Sequence, residues 1–126
     1  MELFGTAGIR GPVAETVTPA LALAVGRAAG RDGEAFVVGR DGRVTGDGLA
    51  SAVVAGLESV GATVDRVGQV PTPALAFASR GRRGVMVTAS HNPPADNGLK
   101  LFVDGREYDS DAERAVAERV DRERAA

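Results

Sequence analysis

The sequence contains no cysteine and no tryptophan, and among its 126 residues there is one histidine, His91, and one lysine, Lys100. The missing thiols exclude disulfide staples, thiolate zinc sites and a cysteine nucleophile. A single histidine also excludes metal binding by a histidine cluster. Aromatic residues make up only 4% of the chain, so valine, leucine and alanine must fill its interior. No apolar run is long enough to cross a membrane and no signal-peptide pattern opens the chain, which makes the cytoplasm the expected location and a membrane no expected partner. The formal net charge is -2, with the basic residues scattered rather than gathered into a stripe, so no nucleic-acid partner is expected either. Almost all cations are arginine, as in proteins from GC-rich genomes. That says nothing about activity, but it makes Lys100 conspicuous.

One domain is expected from this length. Its opening, Leu3-Phe4-Gly5-Thr6-Ala7-Gly8-Ile9-Arg10-Gly11-Pro12, spaces three glycines by two residues. It is neither a dinucleotide fingerprint nor a P-loop, and by itself it reads as a flexible entry loop. Arg10, flanked by glycines, could still reach a phosphate in bidentate fashion. Thr18 as N-cap and Pro19 at the first helical position predict a helix carrying Leu21, Val25 and Ala28, ended by Gly30 and Asp32-Gly33. Ala35–Val38 predicts a buried strand leading into the charged loop Gly39-Arg40-Asp41-Gly42-Arg43, which a solvated turn with an internal Arg–Asp pair would equally explain. A second helix, capped near Thr45 or Asp47, carries Leu49, Val53, Leu57 and Val60, and Gly61 closes it.

Thr63–Val67 alternates as a half-buried strand, and Thr72-Pro73 starts a short helix over Ala74–Ser79. Val85-Met86-Val87 predicts another buried strand, Leu99–Val103 a neighbouring antiparallel one, and Asp104-Gly105 a hairpin or turn. The tail from Asp109 is helical in character but shows only a thin apolar stripe of Ala112, Val116 and Val120. It either packs weakly at an edge or leads to something missing. The expected fold class is therefore α/β, a three-layer α/β/α domain with a mixed, mainly parallel sheet.

Between the strands at Val87 and Leu99 lies Thr88-Ala89-Ser90-His91-Asn92-Pro93-Pro94-Ala95-Asp96-Asn97-Gly98, whose Asn-Pro, Pro-Pro and Asn-Gly dipeptides interrupt regular structure. Loops that end strands converge on one sheet edge in such domains, which would gather Arg10, the Arg40–Arg43 loop, Thr72, Ser90 and Lys100. A hydroxyl among Arg, His and Lys suits acyl hydrolysis poorly, because His91 adjoins Ser90 and no triad is suggested. It suits a phosphate well. A phosphoserine carries about −1.5 to −2 charges and needs convergent donors, and phosphoryl transfer asks the protein mainly for positioning and charge neutralisation.

Thr88-Ala89-Ser90-His91-Asn92-Pro93 resembles the phosphoserine signature of the α-D-phosphohexomutases, the superfamily of phosphoglucomutase, phosphomannomutase and phosphoglucosamine mutase. Four further stretches are similar to that family's landmarks in order: Phe4-Gly5-Thr6-Ala7-Gly8-Ile9-Arg10-Gly11, Val38-Gly39-Arg40-Asp41 with Arg43, Pro71-Thr72-Pro73, and Asn97-Gly98-Leu99-Lys100. Gly42 departs from the small hydroxyl residue common in the family, which is expected to loosen its loop. The resemblance implies that Ser90 carries a phosphoryl group and passes it to a hexose monophosphate, giving a hexose bisphosphate that returns its other phosphate to the serine. It implies Lys100 as acid/base, Arg10 as stabiliser of the transferring group, and His91 as orienter of phosphoserine or substrate. A purely structural histidine, hydrogen-bonded in the turn, stays open as the other explanation of His91. Asn92 and Asn97 are expected to hold the loop rather than touch substrate.

The family's enzymes have four domains, and residues 1–126 resemble the first alone. Domains II–IV, with their metal, sugar and phosphate loops, are expected to be absent from this chain. Mg2+ would then be held by the phosphate of Ser90 only together with the second domain, since Asp41 and Asp47 do not have the spacing of a metal loop. Little mutase turnover is expected from these residues alone, and the remaining domains are an expected partner in trans. Two other readings stay open: a non-catalytic phosphosugar-binding module, and a module that docks on a complete mutase.

Overall fold

The structure is a computed structural model that describes residues 3–4 and 8–125. Gly5, Thr6 and Ala7 of the glycine-spaced opening lie outside the described residues. Strand β1 (Ile9–Pro12) comes first, so the opening contains a paired strand where an entry loop was expected. It is followed by helix α1 (Pro19–Ala29), a single 3-10 turn at Gly30–Asp32, β2 (Ala35–Arg40), α2 (Gly46–Ser59), β3 (Thr63–Gln69), α3 (Thr72–Ala78), β4 (Arg83–Val87), β5 (Asp96–Val103), β6 (Arg106–Glu107) and α4 (Ser110–Ala125).

The strands form one sheet in the order β1-β5-β4-β2-β3, with β6 paired to β5. Parallel pairing joins β2 to β3 and to β4, whereas β5 runs antiparallel to β4, β1 and β6. Only β5 is therefore reversed, and the sheet is mixed but mainly parallel in strand direction, as expected. Asp104 and Gly105, at φ 49° and 84°, make the two-residue turn between β5 and β6. Both left-handed residues are what a type I′ hairpin requires, which explains the Asp-Gly pair.

Alternation along the buried strands sends side chains to two unequal cores. Phe36, Val38, Val85, Val87, Leu99 and Leu101 face α1, α2 and α4. Val37, Met86 and Phe102 face the other way, with Leu75 of α3 against them. The result is three layers, with one short helix on the second face.

Local chemistry accounts for the helices. Thr18 accepts the Leu21 N–H on its Oγ1 at 3.1 Å and Pro19 follows at the first turn, as the sequence suggests. Glycines let α1 and α2 meet backbone to backbone. A Cβ on Gly26 would collide with the Val53 carbonyl, and one on Gly56 with the Leu23 carbonyl. In α3 the cap position belongs to Pro71, and Thr72 is already helical.

Helix α4 packs more firmly than its thin stripe implies. Val116 and Val120 are fully buried against the larger core, and polar groups do the rest. Arg119 donates to Asp32 Oδ1 at 2.7 Å and to the Ala28 carbonyl at 2.9 Å, and Arg27 pairs with Glu123 at 2.8 Å. Tyr108, just before α4, donates to Asp32 Oδ2 at 2.8 Å and accepts from Arg83 at 3.0 Å. Burial and the Asp32 carboxylate push the Tyr108 phenol well above its ordinary range.

Candidate active site

In the loop order of this sheet, β2 connects outward to β3, whereas its neighbour β4 connects the other way to β5. Adjacent strands whose outgoing loops diverge leave a crevice at their carboxyl ends, the usual ligand position in open α/β sheets. Here that crevice separates the loop after β2 (41–45) from the loop after β4 (88–95). The Asp41 N–H joins the two by donating to the Val87 carbonyl at 3.0 Å.

Two turns build the second loop. The Asn92 N–H donates to the Ala89 carbonyl at 2.8 Å, and the Asp96 N–H to the Pro93 carbonyl at 2.9 Å. Asn92 Nδ2 links them by donating to Asp96 Oδ2 at 3.0 Å. Ser90 and His91 are exposed at the tip of the first turn, and among the described residues the His91 ring takes part in no hydrogen bond.

The loop after β2 forms the floor beneath these turns. Asp41 accepts the Thr88 hydroxyl on Oδ2 at 2.7 Å and the Arg43 N–H on Oδ1 at 3.1 Å. Arg43 reaches under the Ser90 loop. It donates to the carbonyls of Pro93 at 2.7 Å, Asp96 at 3.2 Å, Asn92 at 3.0 Å and, closest of all, Ala89. Its Nε lies 3.4 Å from Asp41 Oδ2, so the internal Arg–Asp pair exists. Yet the guanidinium is aimed at the neighbouring loop and largely withdrawn from solvent. Thr45 holds the cap position of α2 but makes no capping bond. Its Oγ1 instead accepts from Asn97 Nδ2 at 2.9 Å. Asp41, Arg43 and Thr45 thus anchor this loop on both sides of Gly42.

Strand register brings two cations to the same edge. Arg10 lies opposite Gly98, and Lys100 opposite Met86, two residues further along β5. Residues paired directly across antiparallel strands share a face, so Arg10 and Lys100 lie on the Met86 side, away from the larger core. Glycines on the same face make room: a Cβ on Gly98 would sit 3.1 Å from Arg10 Cβ, and one on Gly8 3.0 Å from Lys100 Cγ. The Ser90 loop rises from this edge, where the Thr88 N–H donates to the Gly98 carbonyl at 2.9 Å. Among the described residues neither Arg10 nor Lys100 has a carboxylate partner.

The expected gathering is incomplete at Arg40. Arg40 turns toward α2, where its Nε lies 3.7 Å from Asp47 Oδ1, a carboxylate shared with Arg66. Its place on the α2 side of the sheet separates Arg40 from Arg10 and Lys100. Thr72 is the first residue of α3, the helix that covers the Met86 face of the sheet with Leu75 against Val37, Met86 and Phe102. No group of three or more His, Cys, Asp or Glu that could hold a metal occurs among the described residues. Asp41 is occupied by Thr88 and Arg43, and Asp47 by two arginines, so these residues do not by themselves fit Mg2+.

Comparison with known proteins was consistent across sequence and structure. The family model described as "Phosphoglucomutase/phosphomannomutase, alpha/beta/alpha domain I" matches residues 1–126. A phosphopentomutase of Thermococcus kodakarensis is 51% identical over 123 residues, covering 94% of this chain and 27% of its own length. A phosphoglucosamine mutase of Thermotoga sp. is 46% identical over 125 residues, or 96% of this chain and 29% of that protein. A crystal structure of a phosphoglucomutase/phosphomannomutase family protein from Burkholderia thailandensis superposes with a TM-score of 0.88 at 36% identity, over 97% of this chain and 30% of that one. The chain thus spans under a third of the length of these relatives. It belongs to the phosphoglucomutase/phosphomannomutase family, of which it forms the alpha/beta/alpha domain I.

Proposed function

We propose that this chain is the phosphoserine-bearing domain of a sugar-phosphate mutase, with Ser90 as the phosphate carrier. The observation that carries the reading is the edge just described: a hydroxyl on a braced two-turn loop, rising beside two cations of neighbouring strands that have no carboxylate partner among the described residues. Phosphoserine would donate its phosphoryl group to a hydroxyl of a sugar monophosphate. The P–Oγ bond of Ser90 breaks, a P–O bond to the sugar forms, and the sugar hydroxyl gives up its proton. Lys100 is the candidate to move that proton, and Arg10 to offset charge on the phosphoryl oxygens. His91, exposed beside Ser90, is placed to orient phosphate or sugar. Return of the other phosphate to Ser90 Oγ completes an exchange between the 1- and 6-phosphates of a hexose through its bisphosphate.

Mg2+ enters no step derived from these residues, since they lack a ligand set for it. Binding of the metal, and of most of the sugar, is assigned to further domains such as those that make up the rest of each relative. Alone, the chain should turn over little or no substrate. One relative is named a phosphopentomutase and another a phosphoglucosamine mutase, so the sugar must be selected mainly outside this segment. The test is a chimera in which this chain replaces the matching segment of the Thermotoga enzyme. Assayed with glucose, mannose, glucosamine and pentose phosphates, it should be active on the sugar preferred by the host enzyme and inactive as Ser90→Ala. Undiminished turnover by the Ser90→Ala chimera would refute the assignment.

A further inference from the structure

We propose that Arg43 is a positioning residue, which presets the backbone of the Ser90 loop with the four N–H groups of its two terminal nitrogens and leaves neither of those nitrogens for the phosphate. The inference rests on the reading of Ser90 as phosphate carrier and adds how that serine is held. A guanidinium carries five N–H groups in a rigid fork. Two of them, on one terminal nitrogen, go to Pro93 and Asp96, and two on the other go to Ala89 and Asn92. The fifth, on Nε, faces Asp41 at 3.4 Å. The four carbonyls come from both turns of the loop, so one side chain sets each turn and the angle between them.

This has a consequence for charge. With its carbonyls drawn down onto Arg43, the loop turns acceptors away from its tip. The Ser90 and His91 N–H groups donate to nothing among the described residues, and both residues are exposed. An anion on Ser90 would thus meet these two backbone N–H groups and find the carbonyls of Ala89, Asn92, Pro93 and Asp96 already taken, while the half-buried guanidinium adds a favourable charge without direct contact. A lysine at the same place keeps the charge but has three donors and no planar fork, so it cannot hold four carbonyls. Because Arg43 touches neither phosphate nor sugar, its loss should act on the transfer step and leave sugar binding nearly alone.

The experiment uses the chimera described above with Arg43→Lys, and with Asp41→Asn as a second variant. Asp41→Asn removes the negative charge facing Arg43 Nε and leaves one acceptor oxygen for the Thr88 hydroxyl and the Arg43 N–H, which now share two. Arg43→Lys should lower kcat by about ten- to a hundredfold, the scale of a misplaced reacting group. KM for the sugar phosphate should change less than about twofold. Asp41→Asn should fall between parent and Arg43→Lys, and amide exchange at Asn92 and Asp96 should quicken in both. A parental kcat in Arg43→Lys would overturn the proposal, as would a raised KM at unchanged kcat, which would mean direct contact with substrate. Activity persisting in Ser90→Ala would instead strike the underlying reading. If Arg43→Lys does not fold, exchange and kcat in Asp41→Asn decide, and parental values there overturn the proposal equally.

Discussion

Gly98 is where the fold and the candidate site depend on the same missing side chain, and its replacement by alanine should damage both. A Cβ there would lie 2.7 Å from the Thr88 carbonyl oxygen, against 3.4 Å or more for an ordinary contact, and closer still to the carbonyl of Ile9. Both obstacles are backbone, so neither can swing aside. The end of β4 must retreat by about 0.7 Å, and β1 by more, if the ladder is to accept the methyl group. Overpacking of this kind costs about 1–3 kcal/mol. Weakening the bond from the Thr88 N–H to the Gly98 carbonyl adds about 1 kcal/mol. The expected loss is therefore about 2–4 kcal/mol, read as a lower urea midpoint at unchanged slope. Gly48, in α2 with nothing within 4 Å of its would-be Cβ, is the control, and Gly48→Ala should be neutral or stabilising by about 0.5–1 kcal/mol. Since β1 carries Arg10 and β4 leads to Ser90, Gly98→Ala should also depress Ser90 phosphorylation. Equal urea midpoints for Gly98→Ala and Gly48→Ala would refute the steric reasoning.

Thr45→Ala should speed amide exchange at Asn97 and Gly98 more than in the first turn of α2, because the hydroxyl serves Asn97 and caps nothing; the opposite pattern would restore the capping role. Asp32→Asn weakens the hold of Arg119 and should loosen α4 at a cost of about 1–3 kcal/mol, seen as faster exchange in α4 than in α2. Tyr108 has a folded-state pKa raised above the unfolded value of about 10. Its contribution is therefore complete below pH 10 and is lost as pH climbs from there toward the folded value. Chemical denaturation across that window should show stability falling with pH, and less steeply in Tyr108→Phe.

Much of this was legible from local chemistry. Thr18-Pro19 marks the start of α1, Asp104-Gly105 marks its hairpin turn, and the apolar runs at Phe36 and Val85 mark central strands, since each signal acts within a few residues of itself. The candidate loop could also be read, because its prolines punctuate it, but Asn97-Gly98, which reads as a turn, lies inside β5, where pairing with β1 extends the strand back to Asp96. What escaped was set by partners distant in sequence. Strand β1 is too short and glycine-rich to announce itself, and only pairing with β5 makes it a strand. Arg43 reads as a turn residue until the loop some 50 positions away arrives over it. Thr45 looks like a helix cap because its competing partner, Asn97, is equally remote. Arg40 is only three residues from Arg43, but strand alternation turns it to the α2 face, toward Asp47. Helix α4 looked weakly attached because its apolar stripe is thin, and the Asp32–Arg119–Tyr108 contacts that fasten it join three separate segments.

The most direct test is to find where the phosphoryl group goes. The chimera is incubated with glucose 1,6-bisphosphate, digested and mapped by peptide mass spectrometry. One phosphoryl group on the peptide containing Ser90, absent from the Ser90→Ala protein, is the predicted result. A phosphoryl group on any other residue, or turnover without a labelled serine, would contradict the account.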